Sequence, residues 1–295
     1  MSTTTLAPSA SYQRFFWPAL FILMWSSGYV AGKIGLPYAG PFTLIFIRFA
    51  SAAIILLAVT LATQAPWPTK PMVYVHLAVV GLLVQALQFS GLYLGLSLGV
   101  SAGVSALVVG MMPIFTAIGA IAFLNERVTS KQVLGLMIGL FGVTIVVLDK
   151  IGVGQAQWAG YAAVLVALLG ISAGTLYQKK FVTNIDLRTA GFIQLTIASL
   201  AVAPIAIGSE HLAIIWTPEL IGASVWLSLV NSIGAVSVLF LLMRRGEATK
   251  VAGLFYLIPS ATAIMGYVVL GETLTALQLF GFFISATGVY LTTRR

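Results

Sequence analysis

The sequence predicts an all-α membrane protein of ten transmembrane helices, arranged as two inverted five-helix repeats. Three observations carry this. Only 7% of the 295 residues are charged, 60% are hydrophobic, and the mean hydropathy is +1.05. Soluble domains carry roughly 25% charged residues, so these charges cannot cover a water-exposed surface. The apolar stretches, such as Pro113 to Leu124 and Leu134 to Leu148, run unbroken, where barrel strands would alternate. Backbone groups in lipid are then satisfied within helices. Finally, the chain repeats itself at a fixed offset.

In order, the expected spans are 15–33, 42–63, 72–96, 101–124, 131–149, 158–180, 188–208, 219–243, 250–270 and 275–292. A crossing helix needs about 20 apolar residues. Breaks fall at Leu36 to Pro41, at Pro66 to Pro71 and in the polar run Gly152 to Gln157. Spans three and four meet near Gly99 without a charge, yet Met72 to Leu124 is too long for one crossing. The organisation expected is a cytoplasmic tail (1–14), a first repeat (15–149), a linker (150–157) and a second repeat (158–293).

A shift of 146 residues places Pro113 on Pro259, Thr116-Ala117-Ile118 on Thr262-Ala263-Ile264, and Glu126 on Glu272. It also places Gly135 and Gly142 on Gly281 and Gly288, and Ser26, Gly28 and Lys33 on Ser172, Gly174 and Lys179. One offset from the first span to the last argues for duplication of the unit. Five spans per unit turn the second copy upside down, the plan in which transporters bind substrate where the halves meet.

Basic residues set the orientation. With the N-terminus inside, 12 of the 15 basic residues, from Arg14 and Lys70 to Arg294 and Arg295, fall on the inner side. Lys33 and Lys150 fall outside and Arg48 within a span. Both termini are expected in the cytoplasm, and the chain in the cell inner (cytoplasmic) membrane. The residues Met1 to Gln13 lack the pattern of a cleaved signal peptide.

Several functions are disfavoured. Despite the net charge of +8, the basic residues punctuate apolar segments and form no nucleic-acid surface. There is no cysteine, so no disulfide, thiolate nucleophile or thiolate metal site. No phosphate loop of the GxxxxGK[ST] kind is present. An embedded enzyme needs a nucleophile, a metal cluster or paired acids, and a channel needs a carbonyl filter or charged ring; neither is legible. No catalytic residue, metal or cofactor is expected.

The seven acids all lie near span ends or in loops. That argues against a buried carboxylate for proton coupling and leaves facilitated diffusion or exchange, or coupling through His76 or His211. Glu126 and Glu272 end spans four and nine; each reads as a polar turn before the next helix or as a gate ion pair or cap. Arg48 lies about 10 Å inside span two. It either meets a substrate carboxylate or snorkels to the headgroups, and Lys33, nearer a span end, is read as snorkelling.

Trp25, Tyr29 and Lys33 recur every four residues beside Ser26 and share a face. Gln85 and Gln88 share another, and the repeat places Gln85 on Asn231, next to Ser232. Such amides line a wet cavity or bond across helices. Tyr93, Tyr177 and Tyr256 are further substrate-binding candidates. Gly135 and Gly139, with Gly281 and Ser285 at the matching places, mark close helix packing, between the halves or in a homodimer. Pro113 and Pro259, near the centres of spans four and nine, are read as kinks and hinges, or as static shape.

The segment Ser105 to Gly142, with Met112-Pro113, Asn125-Glu126-Arg127 and Gly135 onward, resembles the EamA family of the drug/metabolite transporter (DMT) superfamily. Val251 to Gly288 carries the same pattern with Ile258-Pro259 and Gly271-Glu272-Thr273, and Trp25-Ser26-Ser27-Gly28-Tyr29 and Arg48-Phe49 also look like that family. The resemblance covers nearly the whole chain. It implies ten helices around a central cavity and export of amino acids or related metabolites. The overall pattern is also similar to YddG-type amino-acid exporters. The expected function is a secondary transporter that exports neutral or aromatic amino acids by alternating access, with drug or nucleoside export as the alternative. Its expected partners are the small-molecule substrate and the lipid bilayer, and it works as a monomer or homodimer.

Overall fold

The computed structural model describes residues 10–124, 129–150, 158–182, 185–244, 254–255 and 257–293. Among these there is no strand, only an isolated antiparallel bridge between Ala39 and Ile214. The helices are α1 (Ala10–Gly35), α2 (Pro41–Ala62), α3 (Pro71–Val80), α4 (Gln88–Ser97), α5 (Ala102–Val109), α6 (Met112–Leu124) and α7 (Ser130–Lys150). They continue as α8 (Trp158–Phe181), α9 (Leu187–Glu210), α10 (Pro218–Val225), α11 (Val236–Arg244), α12 (Ile258–Leu270) and α13 (Ala276–Thr293). Six stretches are long and apolar enough to cross a membrane: Phe15–Gly35, Pro41–Ala62, Pro71–Ser97, Trp158–Phe181, Leu187–Glu210 and Pro218–Leu239. Shorter apolar helices lie at Ala102–Thr116, Val133–Val146, Ile258–Leu270 and Ala276–Gly288. The chain is therefore a multi-pass, all-helical membrane protein. Residues 151–157 of the expected linker lie outside the described residues.

Helix starts follow local chemistry. Pro41, Pro71 and Pro218 open α2, α3 and α10, where a missing N–H costs nothing. Ser101 and Thr217 cap α5 and α10 by accepting the amides of Val104 and Leu220, both at 3.3 Å.

Two features interrupt the continuous helices expected from hydropathy. α3 and α4 are joined by a π-helical stretch, Gly81–Leu87, and α10 and α11 by another, Trp226–Ala235. Such stretches are rare and cluster at functional sites. The fourth span is broken at Gly110 and Met111, so that Pro113 is the second residue of α6. Pro259 is likewise the second residue of α12. The expected mid-helix kinks are thus helix restarts. A proline inside a helix removes a bond and clashes with the turn before it, whereas in a first turn it does neither.

Small residues set the packing. α7 and α13 pack most extensively, and their glycines interlock. A Cβ on Gly142 would lie 2.7 Å from the Gly281 carbonyl, and one on Gly288 would strike the Gly139 backbone. This face is used within the chain. α2 packs on α9, α4 on α8, and α12 on both α1 and α5. Gly91 and Gly95 let α4 approach the backbone of α8 at Ala163, Ala167 and Gly160.

Candidate substrate site

Arg48 sits on α2, about 10 Å from the start of that helix, and is only 4% exposed. It does not snorkel. Its Nε donates to Ser232 Oγ at 3.0 Å and its Nη1 to the Tyr93 hydroxyl at 2.8 Å. The guanidinium carbon lies 4.2 Å from the centroid of the Phe89 ring and 5.5 Å from that of Phe49. Among the described residues it has no carboxylate partner, and Nη2 has no hydrogen bond. Two of the five N–H donors of the guanidinium are used.

Each neighbour is placed by local structure. Phe89 and Tyr93 are four apart on α4 and share a face, with ring centroids 6.1 Å apart. Ser232 lies in the second π-helical stretch, where its Oγ donates to the Leu227 carbonyl at 3.0 Å, five residues back. Ser228, one turn earlier, meets Ser51 Oγ at 2.7 Å and donates to the Arg48 carbonyl at 3.3 Å. Asn231, beside Ser232, is buried; its Nδ2 donates to the Met24 carbonyl at 2.5 Å and its Oδ1 has no donor among the described residues. Gly28 and Gly32 on α1 make room for this centre. A Cβ on Gly28 would lie 2.7 Å from Asn231 Nδ2, and one on Gly32 would lie 2.6 Å from Tyr93 Cε1. Tyr29, buried on α1, lies one residue from Gly28.

The structure therefore brings Arg48, Tyr93 and Ser232 into one hydrogen-bonded group, with Asn231 and the Tyr29 segment of α1 against it. Trp25 and Ser26 face elsewhere: Trp25 packs on Phe21 and Phe255 at 5.4 and 5.5 Å, and Ser26 Oγ donates to the Ile258 carbonyl at 3.3 Å, at the restart of α12. Gln85 is half-buried and Gln88 buried on the span that carries Tyr93, and neither side chain bonds across helices among the described residues. Tyr177 is not brought to the site. It bonds His76 Nδ1 at 2.8 Å, and His76 stacks on Phe181 with centroids 4.9 Å apart. His76 is 17 residues before Tyr93, about 25 Å along the span. His211 ends α9 in a left-handed conformation. Tyr256 and Glu126 lie outside the described residues. The Pro113 and Pro259 breaks adjoin: a Cβ on Gly110 would lie 3.0 Å from Pro259 Cγ.

Sequence reasoning missed the aromatic wall, although Phe49 follows Arg48 and the Phe89–Tyr93 spacing was there to read. It offered Glu272 as an ion pair or cap without its partners, which cluster at the C-terminal end of α1. Gly271 ends α12 with φ of 66°, and the Glu272 amide donates back to the Gly266 carbonyl at 3.1 Å. That turn aims the Glu272 carboxylate at Lys33, 2.6 Å away, and at the Ala102 amide, 2.9 Å away. Lys33, read as snorkelling, is instead in an ion pair, and Glu272 caps α5 rather than the helix after it. Glu210 likewise accepts the amides of Phe42 and Thr43 at 3.0 and 2.6 Å, at the start of α2. Carboxylates suit these helix N-termini.

Comparison with known proteins agrees with this architecture. The model of the EamA-like transporter family matches residues 15–148 and again 158–294. The chain is 28% identical over 281 residues to the uncharacterized transporter YvbV of Bacillus subtilis, covering 92% of this chain and 89% of that one. It is 26% identical over 286 residues to a probable amino-acid metabolite efflux pump of Salmonella typhimurium, covering 94% and 93%. An Escherichia coli protein of the same description is also 26% identical, with 92% of each chain covered. A solved crystal structure shares the fold with a TM-score of 0.63 at 20% identity, covering 95% of this chain and 96% of the other. The chain is a membrane transporter and belongs to the EamA-like transporter family.

Proposed function

We propose that this transporter exports neutral or aromatic amino acids across the cytoplasmic membrane by alternating access. Ten helices form two inverted halves, residues 15–149 and 158–293, around a central cavity, with both termini cytoplasmic. The substrate binds at the Arg48 centre. The observation that carries this is the hydrogen bond from Arg48, in the first half, to Ser232, in the second, deep in apolar surroundings and without a counter-ion among the described residues. Charged groups at such depth are costly and mark substrate pathways. A centre of one cation, hydroxyls, amides and aromatic rings suits a substrate with a carboxylate and an apolar body better than a polyamine.

The two-half reading is supported by three repeat-related features. The family model matches twice, the π-helical stretches begin at Gly81 and Trp226, within one residue of the repeat offset, and α6 and α12 restart at Met112 and Ile258, at that offset, each with proline second. Odd-membered inverted halves meeting at a midplane site are the arrangement that rocks between two openings. Amino-acid export is supported by what two relatives are called.

The test is uptake into liposomes holding the purified protein, with a panel of labelled amino acids, with and without a pH gradient. Saturable movement of methionine, threonine or an aromatic amino acid is expected. Movement of polyamines and of no amino acid overturns the reading.

A further inference from the structure

The Arg48 centre carries more than a location. From its composition we infer that recognition turns on the substrate's carboxylate, and that the amino group is dispensable. The transporter's ligands are then small monocarboxylates with a flat or branched apolar body, amino acids being one subset. This rests on the substrate reading above and sharpens it.

The guanidinium is buried, planar and unpaired by any carboxylate among the described residues. Leaving a cation so placed is expensive unless an anion arrives. Its unused N–H groups, including both on Nη2, form part of the fork that carboxylates engage with two parallel bonds. The Phe89 ring at 4.2 Å and Phe49 at 5.5 Å hold the guanidinium without satisfying its hydrogens and supply an apolar wall beside it.

The same centre offers an ammonium much less. The described carboxylates whose contacts are resolved lie at helix ends: Glu272 against Lys33 and α5, Glu210 against α2, and Asp186 against Arg188. The acceptor left over beside Ser232 is Asn231 Oδ1, which is buried and neutral. An amino group gains a hydrogen bond there and no ion pair. Loss of the carboxylate therefore strands a buried charge, while loss of the amino group strands one neutral acceptor that is already unpaired.

A consequence is built into the bonding. The Arg48 Nε bond to Ser232 Oγ joins the two stretches that carry them. A carboxylate that takes the Nε–Nη2 edge displaces that hydroxyl, so on that edge ligand binding releases the α2 tie to the second π-helical stretch.

The experiment is calorimetric binding to the purified full-length protein with two matched series. One is L-phenylalanine, 3-phenylpropionate and L-phenylalaninamide; the other is L-leucine, 4-methylpentanoate and L-leucinamide. In the better-bound series, the deaminated acid is expected within about 10-fold of the amino acid and the amide at least about 30-fold weaker. Arg48→Lys weakens both acids about 10-fold, because a point charge replaces a planar fork, and Arg48→Gln removes their binding. If Arg48→Gln does not fold, the wild-type series and Arg48→Lys decide alone. Amides bound as tightly as the amino acids, or acid binding unchanged in Arg48→Gln, overturn the inference while leaving amino-acid transport standing. Acids bound with no amino acid bound or moved support it and overturn amino-acid export instead. Absence of binding by both series overturns it, and the liposome panel then judges transport by itself.

Discussion

Lys33 Nζ lies 2.6 Å from Glu272 Oε1, and that carboxylate also accepts the backbone amide of Ala102. One side chain from the loop after α12 thus holds the end of α1 and the start of α5 together. Lys33 also reaches the Val100 carbonyl at 3.5 Å.

Glu272→Gln should loosen this end of the molecule. A charge-assisted bond in a partly buried setting is worth about 2 kcal/mol. The protein has no cysteine, so a single Val100→Cys reports cleanly on access to the latch. Labelling of Val100→Cys by a polar maleimide should speed up roughly 5- to 30-fold when Glu272→Gln is added. Equal rates in the two proteins mean that the ion pair does not close this end.

Pro113 and Pro259 each begin a helix, and Gly110 abuts Pro259. If the restarts are where the halves bend, Pro113→Ala and Pro259→Ala restore an N–H and stiffen the joint. Initial flux should fall several-fold while the equilibrium dissociation constant moves less than about 2-fold, since hinge changes act on closure rates. Unchanged flux in both folded variants assigns the prolines to static shape.

Gly288→Ala should destabilise the α7–α13 pair. The added Cβ meets the Gly139 backbone, which cannot rotate away as a side chain would. Overpacking of this kind costs about 1–3 kcal/mol, or roughly 3–10 °C in the melting temperature of the purified protein. Gly208→Ala, in α9 with nothing within 4 Å of its added methyl, is the control and should melt within about 2 °C of the parent.

Asp186 caps α9 and pairs with Arg188 at 2.8 Å, which holds its carboxyl below the usual value of 3.8. A depressed folded pKa stabilises above the unfolded pKa and is lost as pH falls through the folded one. Asp186→Asn should therefore melt earlier than the parent at pH 7, and the gap should close as pH drops below about 4. A gap that is the same at pH 7 and pH 3 removes the pair from the account.

The sequence by itself determined the class and the family. Scarce charge and long apolar runs leave only helices in lipid, and one offset linking Pro113 to Pro259 exposes the repetition, because both are properties of the chain read in order. It also nominated Arg48, since an ionisable residue inside an apolar run stands out wherever it points. Whether Arg48 snorkels or turns inward is not a property of α2. It is decided by Tyr93, 45 residues on, and Ser232, 184 residues on, and by glycines on α1 that leave room for their neighbours. Lys33 and Glu272 are 239 residues apart, so no local pattern pairs them. Tyr177 looked equivalent to Tyr93 because each lies four residues from the end of its span, Phe181 and Ser97, and the two read alike in sequence; only packing sent Tyr177 to His76. The restarts at Met112 and Ile258 belong to the same class. Proline announces that the helix cannot continue undisturbed, and the contact of Gly110 with Pro259 shows where tertiary packing accommodates the break.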